Sequence, residues 1–225
     1  MVYVPAGEFS MGSNDGYDDE QPVHTVYLDA YWIDQTEVTN ALYERCVEDG
    51  VCNTPGEHGS DTRASYYGNP TYADYPVIYV NWYQAEEYCQ WAGRELPTEA
   101  QWEKAARGTD GRTYPWGNAT PTSDLVNFNS NIGDTTEVGS YPDGASPYGA
   151  LDMAGNVWEW VADWQGDYPS GMVSNPMGPA SGEYRVLRGG SWDNNEGLIR
   201  SADRDGDYPS CANRNNGFRC ATSLH

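Results

Sequence analysis

Basic side chains are scarce in this chain: twelve Lys and Arg stand against thirty-four Asp and Glu, a net charge of −22. Nucleic-acid binding needs a basic footprint, and an anionic membrane surface repels a chain of this sign, so neither partner is expected. No run of about 18 apolar residues occurs, so membrane insertion by a helix is not expected either. Met1 runs directly into strand-like sequence with no signal peptide, and the chain reads as a mature or excised fragment. His24, His58 and His225 are too scattered to form a zinc set. No Ser-His-Asp spacing, no G-x-G-x-x-G and no phosphate-binding loop is present. A Pro/Gly/Ser linker, a break in composition and an internal repeat are all missing, so residues 1–225 read as a single domain.

What is abundant is aromatic and small polar. Nine Trp and eighteen Tyr accompany only three Phe. Such rings supply apolar area while keeping a polar tip, and most of the Trp should be core. Five cysteines are present. Cys46 and Cys52 bracket a short VEDGV turn and can bridge. Stable bridges imply an oxidising compartment, hence an extracellular or cell-surface setting. Strong acidity also suits divalent cations.

Val2–Met11 and Val23–Ile33 read as strands. Glu37–Val47 reads as a helix with Thr36 or Thr39 as its cap. Asn53–Tyr75 is a long loop rich in Gly, Pro, Tyr and Asp, and long loops in compact domains are often functional. Asn81 caps a helix over Trp82–Ala92 that Gly93 ends. Thr98 and Gln101 have capping-box spacing, predicting a helix over Glu99–Arg107. Beyond it only short strands are expected, at Glu137–Tyr141, Trp158–Asp163, Tyr184–Arg188 and Gly217–Cys220. This pattern is α+β with little regular structure.

Four motifs in order carry a resemblance: LPTEAQWEKAARG (Leu96–Gly108), YPWGN (Tyr114–Asn118), GNVWEWVADW (Gly155–Trp164) and the stretch from RVLRGGSW to GFRC (Arg185–Cys220). The chain resembles formylglycine-generating enzymes, the sulfatase-modifying factors, whose domain is a variant of the C-type-lectin-like fold. The Asn/Asp-rich tail ending in GFR is also similar to that of retroelement-diversified variable proteins of the same fold. Fold does not fix function. The resembled enzymes place two copper-binding cysteines shortly after GGSW. Here Trp192 is followed by Asp193, Asn194, Asn195, Glu196, Gly197, Leu198 and Ile199, so no copper is expected. The resemblance implies a Cys89–Cys220 disulfide, leaving Cys211 unpaired. A second family disulfide is missing at both ends, at Ala106 and Ser201.

The resemblance further implies structural calcium. One site would use the Asp152 side chain, the Gly155 and Val157 carbonyls and the Glu159 carboxylate, a mix of hard oxygens that suits Ca²⁺. A second would use Asn127, the Phe128 carbonyl, and Asp134 with the Thr136 carbonyl. The candidate ligand surface follows GGSW: Trp192, Asp193, Asn194, Asn195, Asp203, Asp205, Tyr208, Asn213 and Asn215. Its Asn and Asp side chains make adaptable hydrogen bonds, and its rings could stack on a sugar or aromatic. Arg200, Arg204 and Arg219 are expected to be structural. The reading is a non-catalytic, calcium-stabilised module binding a protein or carbohydrate, with self-assembly open. The alternatives are an oxidoreductase of the formylglycine-generating or sulfoxide-synthase type and a structural subunit of an extracellular assembly.

Overall fold

Helices are few in this chain, and each is set by its cap. The computed structural model describes residues 1–223; His225 lies outside them. Helix α1 spans Asn40–Glu48, and its cap is Thr39, whose hydroxyl accepts from the Leu42 N–H at 3.3 Å. Helix α2 covers Trp82–Trp91 behind Asn81, with Gln84 returning the bond to the Asn81 N–H at 3.0 Å. Helix α3 covers Glu99–Arg107 with the expected box, Gln101 N to Thr98 Oγ1 at 3.2 Å and Thr98 N to Gln101 Oε1 at 2.8 Å. Each such cap contributes about 1 kcal/mol.

The two long strands expected at the start are each divided. Strands β1 (Val2–Val4) and β2 (Gly7–Met11) part at Pro5, which offers no backbone donor. Strands β3 (His24–Leu28) and β4 (Tyr31–Ile33) part at Asp29-Ala30. Strand β5 (Trp158–Trp164) and β7 (Arg185–Arg188) fall where expected, and the short β6 (Val173–Ser174) lies between them. Strands β8 (Arg204–Asp207), β9 (Asn216–Phe218) and β10 (Ala221–Ser223) complete the chain. Glu137–Tyr141 forms no strand. Ser140 there bonds the Glu137 carbonyl, and the Val138 N–H is taken by Asp74.

Three small sheets result, ordered β1-β4-β10, β2-β3-β6 and β8-β7-β5-β9. Strand β5 is central because both its faces are buried. Trp158 and Trp160 enter a cluster with Tyr43, Tyr88 and Phe218, while Val161 enters a second with Phe9, Val26, Trp102 and Val186. The remaining Trp are divided: Trp82, Trp102 and Trp192 are buried, Trp91, Trp116 and Trp164 are half-buried, and Trp32 is exposed. The Cys46–Cys52 and Cys89–Cys220 disulfides are both formed, and Cys211 is free. The second closes 131 residues, which in the chain-entropy model is worth roughly 5 kcal/mol. Ala106 and Ser201 are both fully buried, and the Ser201 hydroxyl has no hydrogen-bond partner.

Candidate functional site

The turn after β7 needs its glycines. Gly190 has φ 69°, and a Cβ there would meet the Leu198 carbonyl at 2.5 Å. This close crossing folds the GGSW segment back on itself. Asn194 Oδ1 accepts from both the Ser191 N–H (2.9 Å) and the Ser191 hydroxyl (2.7 Å). Asp193 Oδ1 lies 2.7 Å from the same hydroxyl. The Asn215 amide donates to Ser191 Oγ at 3.1 Å and to Asp193 Oδ1 at 3.2 Å. Arg214 bonds Asp193 at 2.8 Å and reaches Asp61, of the Asn53–Tyr75 loop, at 2.5 Å.

Two residues expected on the ligand surface are not there. Trp192 is buried: its backbone N–H donates to the Asn156 carbonyl, its indole N–H has no partner, and Arg214 lies 4.7 Å above its ring. It is a floor under the arginine, not a platform open to a sugar. Asp203 is also buried, because β8 starts just after it and turns it toward Arg200 and Arg188. Burial pushes its carboxyl up to about 7 against the pull of Arg200 and Arg188. Asn195, Asp205, Tyr208 and Asn213 are exposed, and Asp193, Asn194 and Asn215 are half-buried. The bonded polar residues form two groups. One surrounds Ser191 with Asp193, Asn194 and Asn215. The other holds Tyr208 against Tyr184, their rings tilted 54° at 4.8 Å, with Asn213 bonded to Asp207. Sequence reasoning missed Asp61, Arg214 and Tyr184; the one signal was the length and polarity of the loop bearing Asp61.

The loop expected to hold the first calcium is tightly curled. Asp152, Gly155 and Asn156 all have left-handed backbones, at φ 56°, 68° and 57°. Only glycine fits at 155, where a Cβ would sit 2.2 Å from the Asn127 carbonyl. Asp152 is buried and accepts from the Gly139 N–H at 2.6 Å. Beside it lies Glu37, which the sequence did not single out. Its Oε1 accepts from Asn156 at 2.9 Å, and its Oε2 has no partner. Burial, then the Asp152 charge, pushes the Glu37 carboxyl well above the usual range, and burial raises Asp152 too. Glu159 differs from expectation. Strand alternation buries it beside Val161, where Arg219 binds both its oxygens at 2.7 Å and Trp102 Nε1 adds a bond at 2.8 Å. That carboxylate is committed to an arginine and is not open to a cation. Among the described residues no three acidic, His or Cys side chains converge as a metal cluster.

The loop expected to hold a second calcium is closed by protein donors. Asp134 accepts from Ser60 Oγ (2.6 Å), Thr62 N (2.9 Å), Thr62 Oγ1 (2.7 Å) and Thr135 N (2.8 Å). The Phe128 carbonyl accepts from the Asn131 N–H. Asn127 turns its amide nitrogen to the Asp134 carbonyl at 2.9 Å, leaving its own Oδ1 unpartnered.

Residues 1–224 match the family described as the sulfatase-modifying factor enzyme 1-like domain. The chain belongs to that family. It is 41% identical to the serine/threonine-protein kinase Pkn1 of Chlamydia trachomatis, covering 100% of this chain and 38% of the kinase. It thus spans less than two-fifths of that relative. It is 34% identical to the formylglycine-generating enzyme of Streptomyces coelicolor, over 98% of this chain and 88% of the enzyme. Among solved structures, Treponema denticola variable protein 1 superposes with a TM-score of 0.81 at 30% identity, covering 100% of this chain and 95% of that one. This sulfatase-modifying-factor domain therefore shares its scaffold with an enzyme, a variable protein and part of a kinase, so the scaffold does not decide among them. The residues after GGSW must.

Proposed function

We propose that this chain is a non-catalytic ligand-binding module on the formylglycine-generating-enzyme scaffold, stabilised by calcium and working in an oxidising compartment at or beyond the cell surface. The observation that carries the reading is the Ser191–Asp193–Asn194–Asn215 network. It fills the segment where the resembled enzymes carry their thiols, and its members are hydrogen-bonded to one another. Copper oxidation of a substrate thiol needs thiolates to hold soft Cu(I), and amides and carboxylates do not replace them. The ligand is a protein or carbohydrate. The exposed Asn195, Asp205, Tyr208 and Asn213 supply the donors, acceptors and ring that such a partner requires.

Two disulfides support the oxidising setting. Calcium would be held by Asp152 with the Gly155 and Val157 carbonyls, and the free Glu37 Oε2 supplies a second carboxylate in place of Glu159. The ion would contribute the charge that lets both acids ionise while buried. The kinase relatives suggest one context, a ligand-reading segment within a longer signalling chain.

The test is direct. Incubated with copper, oxygen and a Cys-x-Pro-x-Arg peptide, the protein should leave the cysteine unchanged. Formylglycine above the background of peptide alone would overturn the reading.

A further inference from the structure

The second calcium loop already contains a cation. Arg63 Nη1 lies 3.0 Å from Asp134 Oδ1 and 3.1 Å from Thr135 Oγ1, and Nη2 donates to the Thr135 carbonyl at 2.9 Å. Three rings enclose the guanidinium: Tyr72 at 4.8 Å, Tyr75 at 4.9 Å and Tyr66 at 5.6 Å. The arginine side chain is 16% exposed and the Asp134 side chain 2%. We infer that Arg63 takes the place of the second calcium ion, and that by doing so it fixes the Asn53–Tyr75 loop and holds Asp61 against Arg214 at the candidate ligand surface.

The chemistry favours the guanidinium over the metal. Calcium takes six to eight oxygens at about 2.3–2.6 Å. To bind here it would have to strip the Ser60, Thr62 and Thr135 donors from Asp134 and sit beside a positive charge. A planar guanidinium needs only the carboxylate and the neighbouring Thr135 oxygens, which its fork matches. The tyrosine faces add cation–π attraction in a site where solvent is largely excluded. The first loop differs in charge. The oxygen left unpartnered in the second loop, Asn127 Oδ1, belongs to a neutral amide, whereas in the first it is a carboxylate oxygen, Glu37 Oε2, and the nearby Arg219 is committed to Glu159.

Arg63 reaches the surface through two residues of backbone. The Ser60 N–H bonds the Arg63 carbonyl at 2.8 Å, closing a turn that carries Asp61 at its tip. Asp61 bonds Arg214, which in turn bonds Asp193 and covers Trp192. Arg63 is thus a positioning residue. This second half rests on the proposed binding surface; the replacement of calcium does not.

Bound calcium, counted by elemental analysis after dialysis, and the rate of limited proteolysis within residues 53–75 test the inference together. Wild type should be compared with Asp134→Asn, Asp152→Asn, Arg63→Met and Arg63→Lys. Asp134→Asn should bind as much calcium as wild type, and Arg63→Met should be cleaved in the loop at least tenfold faster, with calcium giving no protection. Arg63→Lys keeps the charge without the fork and should fall between; it also serves if Arg63→Met does not fold. Loss of one calcium equivalent in Asp134→Asn, or unchanged cleavage in both Arg63 variants, overturns the inference. If wild type binds no calcium while the Arg63 variants are cleaved faster, the proposed calcium at Asp152 falls and the role of Arg63 stands.

Discussion

Two buried acidic regions of this molecule solve the same problem differently. Around α3, carboxylates and guanidiniums are matched. Glu103 bonds Arg188 at 2.5 Å and Arg107 at 2.9 Å, and Glu99 takes the Arg204 fork at 2.8 and 2.9 Å. Burial opposes ionisation of Glu99, but Arg204 and Arg188 outweigh it and hold the carboxyl below its usual range. Around the 151–157 loop, Glu37, Asp152 and Glu159 share Arg219 alone, and Glu159 has claimed it. The surplus acids there need a proton or an added cation. A shortage of arginine, not an abundance of acid, marks the place where a metal is worth having.

The largest expected effect comes from breaking the matched side. Glu103→Gln leaves Arg188 buried with a weaker partner and should cost about 3–5 kcal/mol of stability, read by urea unfolding. A loss below about 1 kcal/mol would mean that the pairing adds little. Next is the unmatched side. With calcium at one hundred times its Kd, binding contributes about 2.7 kcal/mol by mass action, so chelation should lower the Tm of wild type. Asp152→Asn should abolish that response, and Glu37→Gln should weaken it while stabilising the calcium-free form. An Asp152→Asn protein that keeps the full response sinks the assignment.

The next effect comes from Asp163, an acid near α3 that no arginine binds. Asp163 is buried, and burial together with the Glu99 charge pushes its carboxyl up to about 7. A folded-state value above the ordinary one means that this group's contribution to stability is most favourable at low pH and declines as pH rises from about 4 to about 7. Asp163→Asn should flatten that decline, which at about 1.4 kcal/mol per unit is at most about 4 kcal/mol. An unchanged pH profile of urea midpoints would contradict it. The smallest effect on stability, within about 0.5 kcal/mol, is expected for Asn195→Ala, Asp205→Ala and Tyr208→Ala combined. Its effect on ligand capture should be large. By contrast Trp192→Ala, in the buried floor, should cost about 3–5 kcal/mol and is a poor probe of binding.

Local signals were legible in the sequence. Thr98 and Gln101 declared α3 because a capping box needs only four consecutive residues. Asn81 and Gly93 bounded α2 for the same reason. The family motifs were long enough to point to the fold and the Cys89–Cys220 disulfide, and the short turn between Cys46 and Cys52 pointed to the other. What was not legible depends on partners far away in the chain. Arg63 and Asp134 are 71 positions apart (134 − 63), and no local pattern joins them. Glu159 looked like a metal ligand because its arginine lies 60 residues on. Trp192 looked exposed because its neighbours are polar, whereas the Gly190–Leu198 crossing turns its ring inward. Strand division at Pro5 was readable in principle, but alternation on either side disguised it.

The β1-β4-β10 sheet carries a mechanical consequence. Val2 and Ala221 both lie opposite Ile33, and Val4 and Ser223 both lie opposite Tyr31. Strands β1 and β10 therefore run parallel on the two sides of β4, so Val2 sits at one end of the sheet and Ser223 at the other. Tension applied between those two residues would act along the strands. It would load the ladder bonds on both sides of β4 together, in shear, instead of peeling them one by one. Cys220 lies next to Ala221 and is anchored covalently to α2, so β10 could not slide out without dragging a helix with it. Pulled apart at Val2 and Ser223, the sheet would stay shut until the ladders on both sides of β4 gave way together.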